Sequence, residues 1–191
     1  MATEELVTTQ LANGLSCEMP ANSPLAKLLR SQRTWVGPDA KERQRLLNGA
    51  KSVAIVGMSD KPQRSSYFVG TYLLQSSKYK VYFVNPMIKG EILGQPVYPD
   101  LKSLPEVPDI VDVFRKGSDI PGVIDEILEI GNPIVWVQLG IYNEEAARYG
   151  ESKALKVVMD RCIKIEHARF DGGLHLLGFD TGVISSKRHT R

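Results

Sequence analysis

The sequence predicts a three-layer, doubly wound α/β fold built on a mostly parallel sheet, on three observations. Five short runs rich in Val and Ile recur along the chain. Each run is continuously apolar rather than alternating, as a strand covered on both faces must be. Segments with helical apolar spacing lie between them. Strands alternating with helices imply right-handed crossovers, which place helices on both faces of a parallel sheet. The topology is therefore Rossmann-like, and ligands in such sheets sit at the carboxyl ends of the strands, where the strand order reverses.

The elements follow in chain order. Residues 1–37 read as an irregular N-terminal extension, broken by Asn13-Gly14, Pro20, Ser23-Pro24 and Gly37-Pro38. Leu25, Leu28 and Leu29 have the spacing of a short helix. The body opens at Asp39-Ala40-Lys41-Glu42, a capping-box pattern, with a helix running to Asn48 and Gly49 as its stop. Ser52-Val53-Ala54-Ile55-Val56-Gly57 is the first strand. Residues 66–77 form a helix with Val69 and Leu73 on one face, and Val81-Tyr82-Phe83-Val84 is the second strand. Residues 90–108 hold four prolines, so the stretch reads as loop with a short strand or one helical turn. The third strand is Ile110-Val111-Asp112-Val113-Phe114, followed by a helix over 119–130 with Ser118 as its cap. Ile134-Val135-Trp136-Val137 is the fourth strand. Asn143-Glu144-Glu145 then opens a helix with a cap and two acids near its positive end. Lys156-Val157-Val158-Met159 is the fifth strand. Residues 171–191 read as a partly packed C-terminal segment with a basic end.

Composition removes several classes. At 191 residues the chain fits one domain with tail to spare. Such a length buries about 70% of its unfolded surface without metal or disulfide staples. Lys+Arg 24 against Asp+Glu 22 is too even for a nucleic-acid binder. Cys17 and Cys162 form no metal or redox spacing, which points to a reducing compartment. The first residues carry Glu4 and Glu5 without a basic, then apolar, leader, so no secretory signal is read. No apolar run reaches the ~18–20 residues of a membrane span. The expectation is a cytoplasmic protein, monomeric or a small homo-oligomer, with no nucleic-acid or membrane partner.

The strand ends carry the chemistry. Gly57-Met58-Ser59 and the following Arg64-Ser65-Ser66 precede a helix, whose free N–H groups attract phosphate. Arg64 adds a planar fork suited to phosphate. The complete G-x-G-x-x-G fingerprint is absent, because Gly70 comes too late. A dinucleotide domain normally ends its second strand in Asp or Glu, which holds the ribose diol. This chain has Asn85-Pro86, with Lys89 close behind. That pattern suits a ribose carrying an extra phosphate, and NADP and coenzyme A both have one. A plain turn is the alternative for Asn85-Pro86.

Six segments, taken in order, carry a resemblance. They are Val53-Ala54-Ile55-Val56-Gly57-Met58-Ser59, Val84-Asn85-Pro86, Ile92-Leu93-Gly94-Gln95-Pro96-Val97-Tyr98, Asp112-Val113-Phe114-Arg115, Val135-Trp136-Val137-Gln138-Leu139-Gly140 and Met159-Asp160-Arg161-Cys162. Together they resemble the stand-alone CoA-binding domain proteins, which are similar to the CoA-binding domain of the succinyl-CoA synthetase α subunit. The resemblance covers about residues 46–169 and makes 38–170 the CoA-binding domain; 178–186 also resembles the ends of longer members. The first 37 residues carry none of it. The resemblance implies the diphosphate on Gly57, Met58, Ser59, Arg64 and Ser65. It implies adenosine between Asn85, Pro86 and Lys89 on one side and Val113, Phe114 and Arg115 on the other, with Arg115 a second phosphate group and Phe114 either facing the base or packed in the core. The pantetheine arm then passes Gln138 and Gly140.

No nucleophilic triad, paired carboxylates or metal spacing is legible, and His167, His175 and His189 all come late. His167, on a helix, reads as a solvated or partner-satisfied histidine. The leading expectation is a protein that binds coenzyme A or an acyl-CoA without catalytic residues, as a carrier, sensor or regulatory partner of another protein. The alternatives are an NADP-type oxidoreductase, a CoA ligase subunit that needs a partner chain, and a protein-interaction module with a vestigial site. Cys162 is either a buried thiol or a redox thiol able to pair with the CoA sulfur, its pKa lowered by Arg161 and the helix start.

Overall fold

The structure, a computed structural model, describes residues 6–10, 16–20, 34–131 and 134–171. The chain divides into two units, Met1–Val36 and Gly37–Arg191. In the first, β1 (Leu6–Gln10) pairs antiparallel with β2 (Ser16–Pro20), Leu6 opposite Pro20 and Gln10 opposite Ser16. This corrects the reading of 1–37 as irregular. Leu6-Val7-Thr8-Thr9 supplies β-branched residues that the breakers around it concealed. The helical spacing at Leu25, Leu28 and Leu29 lies outside the described residues, as does everything after Asp171, including His175, His189 and residues 178–186.

The second unit contains α1 (Ala40–Gly49), β3 (Ser52–Val56), α2 (Ser65–Ser76), β4 (Lys80–Val84), β5 (Glu91–Ile92) and β6 (Gln95–Tyr98). It continues with β7 (Ile110–Val113), α3 (Ile120–Ile130), β8 (Ile134–Val137), α4 (Glu144–Ser152), β9 (Lys156–Val158) and α5 (Ile163–Asp171). The sheet order is β5-β6-β4-β3-β7-β8-β9, and every pairing is parallel except that of β5 with β6. The five expected strands are present. The proline-rich stretch adds two more, because Gln95–Tyr98 turns back to lie along β4.

The chain leaves β3 toward β4 on one side and returns to its other side with β7. The sheet therefore reverses its winding between β3 and β7. The central strand β3 is buried along its whole length. One sheet face, with Ile55, Phe83, Ile110 and Trp136, packs on α1, α2 and α5 through Leu47, Leu73 and Ile163. The other face meets α3 and α4, which bury Val123, Ile124, Ile127 and Ala147. Gly150 lets α4 lie close to β9, since a Cβ there would stand 3.0 Å from Val157 Cγ2.

Caps explain the helix boundaries. Asp39 accepts from Glu42 N–H at 2.8 Å, one half of the expected box, while the Glu42 carboxylate pairs with Arg45. Asn143 caps α4 through Ala146 N–H at 3.0 Å. Ser118 does not cap α3: a 3₁₀ turn over Gly117–Asp119 leads into the helix, and the Ser118 hydroxyl donates to Asp119. Pro121 supplies the favourable ring at the helix start. Between α1 and α5, Glu166 receives Arg43 Nε at 2.8 Å and Arg169 at 3.2 Å, a buried ionic cluster.

Candidate functional site

Gly57 ends β3 with φ +85°, and a Cβ there would lie 2.7 Å from the Phe114 carbonyl oxygen. Only glycine passes so close to the neighbouring strand end without moving it. Gly57 and Met58 N–H both reach Val84 O, at 2.9 and 3.3 Å, and Phe114 N–H reaches Val56 O at 2.8 Å. The sheet ladder thus runs past the strand ends and holds three loops together at the winding reversal.

Beyond Gly57 the loop folds on itself and delivers α2. Ser66 Oγ accepts Ser59 N–H at 3.1 Å, and Ser59 Oγ accepts Lys61 N–H at 3.2 Å. Ser66 is buried and serves as a loop staple rather than a ligand donor. No side chain caps α2, whose Ncap residue is Arg64. The first N–H groups of a helix have no intrahelical acceptor, so here they face the exposed Arg64 and Ser65 region with a positive partial charge.

On the other side of Gly57 lies a cleft of about 410 Å³. Its floor is Val56, Gly57 and Val84, and one wall carries Pro86 and Pro99. The opposite wall comes from the start of α3, with Val123 and Gly122. Its charged groups are Arg115, Asp100, Asp119 and Glu126. Arg115 Nε stands 3.5 Å from Asp119, so the expected phosphate group is paired. Asp100 is fixed by Ser103, whose N–H and hydroxyl donate at 2.8 and 2.7 Å, and these bonds hold its carboxyl below the usual range. Burial, and then the Asp100 charge, push the Glu126 carboxyl above its ordinary value, with Arg115 opposing. Asp100, Asp119 and Glu126 escaped the sequence reading, which looked only just past each strand. Asp100 matters most, because β6 brings a carboxylate beside Pro86 although β4 itself ends without one.

Several expected site residues are employed elsewhere. Met58 is fully buried, with its Cε 3.0 Å from where a Cβ on Gly70 would sit, so only its backbone borders the loop. Val113 is likewise buried, and Phe114 packs against the core cluster. Asn85 donates to Met58 O at 2.6 Å and accepts Met87 N–H at 2.9 Å, bracing one loop on another. The plain-turn alternative therefore describes its side chain. Gln138 is buried and donates to Asp112 Oδ1 at 2.6 Å, so its side-chain amide is engaged within the sheet rather than presented at the surface. Gly140 N–H is also taken, by Asp160 at 2.6 Å. Pro86 and Lys89 are exposed at the end of β4, as Ser65 and Arg64 are before α2.

Asp112 is fully buried in β7, no hydrogen bond among the described residues reaches its Oδ2, and burial drives its pKa well up, with the bond from Gln138 opposing. Cys162 is half-buried before α5. Burial raises its thiol pKa, and the N–H groups of Ile165 and Lys164 offset this only in part. Of the two readings of Cys162, this favours the buried thiol over the redox thiol. His167 is buried, with Nδ1 3.0 Å from the Tyr72 hydroxyl, and burial lowers its pKa. Among the described residues, no three His, Cys, Asp or Glu side chains are grouped to hold a metal, and no helix is long and apolar enough to cross a membrane.

Comparison with known proteins adds a family. Residues 51–168 match the family model described as CoA binding domain. The chain is 40% identical to YneT of Bacillus subtilis (strain 168) over 131 residues, 69% of this chain and 96% of YneT. A solved structure described as a hypothetical protein from Pyrococcus horikoshii OT3 superposes with a TM-score of 0.67 at 34% identity, covering 71% of this chain and 94% of that one. A dinucleotide forming acetyl-coenzyme A synthetase 1 from Ca. Korarchaeum cryptofilum matches with a TM-score of 0.50 at 25% identity, over 60% of this chain and 27% of the synthetase.

Proposed function

The chain belongs to the CoA-binding domain family, and on that premise we propose that it binds coenzyme A or an acyl-CoA as a carrier, sensor or regulatory protein without chemistry of its own. The observation that carries this reading is the uncapped N-terminus of α2, standing beside the Gly57 turn at the winding reversal. Its N–H groups, the Ser59 and Ser65 region and Arg64 receive the diphosphate. Lys89, exposed beyond β4, receives the ribose 3′-phosphate, and the cleft beside Gly57 takes the adenosine.

The engagement of three buried titratable groups supports the non-catalytic part. Asp112 pairs with Gln138, His167 with Tyr72, and Glu166 with Arg43 and Arg169. A second reading is a CoA ligase subunit that works with a partner chain. The likeness to the acetyl-coenzyme A synthetase favours it, since the match spans 27% of that larger chain. Native mass spectrometry of protein purified without added ligand tests the binding, with a CoA or acyl-CoA adduct as the expected result. Incubation with acetyl-CoA tests the rest: the thioester survives at the buffer rate. Protein-dependent release of CoA contradicts the carrier reading and leaves the binding reading in place.

A further inference from the structure

Resting on the CoA reading above, we infer that Glu126, beside Asp100, reads the base of the bound nucleotide, selecting adenine through its exocyclic amine and keeping the phosphates out of the cleft. The cleft volume of about 410 Å³ lies in the range of small-ligand pockets. Its walls are of two kinds. Pro86 and Pro99 on one side and Val123 on the other are apolar surfaces that suit a planar ring. The charged groups are three carboxylates against one guanidinium, and Arg115 is already beside Asp119 at 3.5 Å. A phosphate placed there meets net negative charge, whereas the α2 N-terminus on the other side of Gly57 attracts it. The ligand is thereby oriented, with phosphates toward α2 and the neutral base in the cleft.

The two carboxylates differ in readiness. Ser103 holds Asp100 Oδ1 through two donors, which fixes that group in place. No hydrogen bond among the described residues engages Glu126, and its position next to Asp100 makes a ligand N–H donor welcome there. Adenine presents an amine at the tip of the base. Hypoxanthine presents a carbonyl oxygen at the same position, which a carboxylate repels and an amide accommodates.

Isothermal titration of the full chain with adenosine 3′,5′-bisphosphate and inosine 3′,5′-bisphosphate reads this directly. The wild type should prefer the adenine compound by about tenfold or more, as expected for one unmatched polar pair in a partly desolvated site. Glu126→Gln should bring the ratio close to one by improving the inosine compound, with its melting temperature unchanged because the residue is on an exposed helix surface. Equal affinities in the wild type, or an undiminished ratio in the variant, overturn the inference while CoA binding stands. Failure of CoA and both bisphosphates to bind overturns the CoA reading, and this inference with it.

Discussion

At Gly57 the backbone holds φ +85°, and the space for a Cβ is filled by the Phe114 carbonyl at 2.7 Å. Gly57→Ala adds left-handed strain of about 1–2 kcal/mol and forces two strand ends apart. The melting temperature should fall by at least about 2–4 °C, and CoA affinity should fall with it. An unchanged melting curve would contradict the close approach. Asp112 makes a second residue-scale prediction. Its folded pKa is raised well above the ordinary aspartate value of 3.8, so the unfolded chain ionises first as pH rises. The stability it lends is complete below about pH 3.8 and is lost progressively above that, toward the folded pKa. Asp112→Asn keeps the bond from Gln138 and removes the ionisation. Urea denaturation at pH 5 and pH 8 should show the wild type losing stability relative to the variant as pH rises. Parallel behaviour would contradict the raised pKa of the buried Asp112. Neither role was legible in sequence: Gly57 was recognisable as a turn, but the oxygen that makes it obligatory belongs to a residue 57 positions later, and Asp112 sat in an otherwise apolar run.

At the scale of elements, the proposed diphosphate site rests on α2. Its start follows from the Gly57 turn and the Ser59–Ser66 staple, and Arg64 stands at its Ncap without a capping bond. Arg64→Ala should weaken CoA binding roughly ten- to a hundredfold, the effect of one charge-assisted hydrogen bond. Its melting temperature without ligand should barely move, since the residue is exposed. A variant that melts early yet binds normally would make Arg64 structural. The β-α rhythm, and with it this loop, was readable because a continuous run of β-branched residues has few other destinations than a doubly covered strand. The strands β5 and β6 were less so: Pro96 and Pro99 masked a short pairing at the margin of the sheet, where only Glu91–Ile92 lies outside β6. That pairing is what carries Asp100 to the cleft.

For the whole molecule, sheet order explains which strand-end residues meet. Gly57, Phe114 and Arg115 are remote in sequence, yet β3 and β7 are neighbours, and their loops share one crevice. Position past a strand end does lead to the cleft lining at Gly57, Pro86 and Arg115. It was a poor guide to side-chain direction: Met58 and Gln138 occupy strand-end positions, yet their side chains are buried, where they fill the core or satisfy Asp112. On the proposed reading this crevice takes coenzyme A and not a nicotinamide dinucleotide. The measurement that bears on it most directly is a parallel calorimetric titration of the full chain with CoA, NADP and NAD. The α2 N-terminus and Lys89 make CoA the tightest of the three, with NAD, which lacks a ribose phosphate, far weaker. NAD binding more tightly than CoA would contradict the account and would assign Asp100, beside Pro86, to a ribose diol.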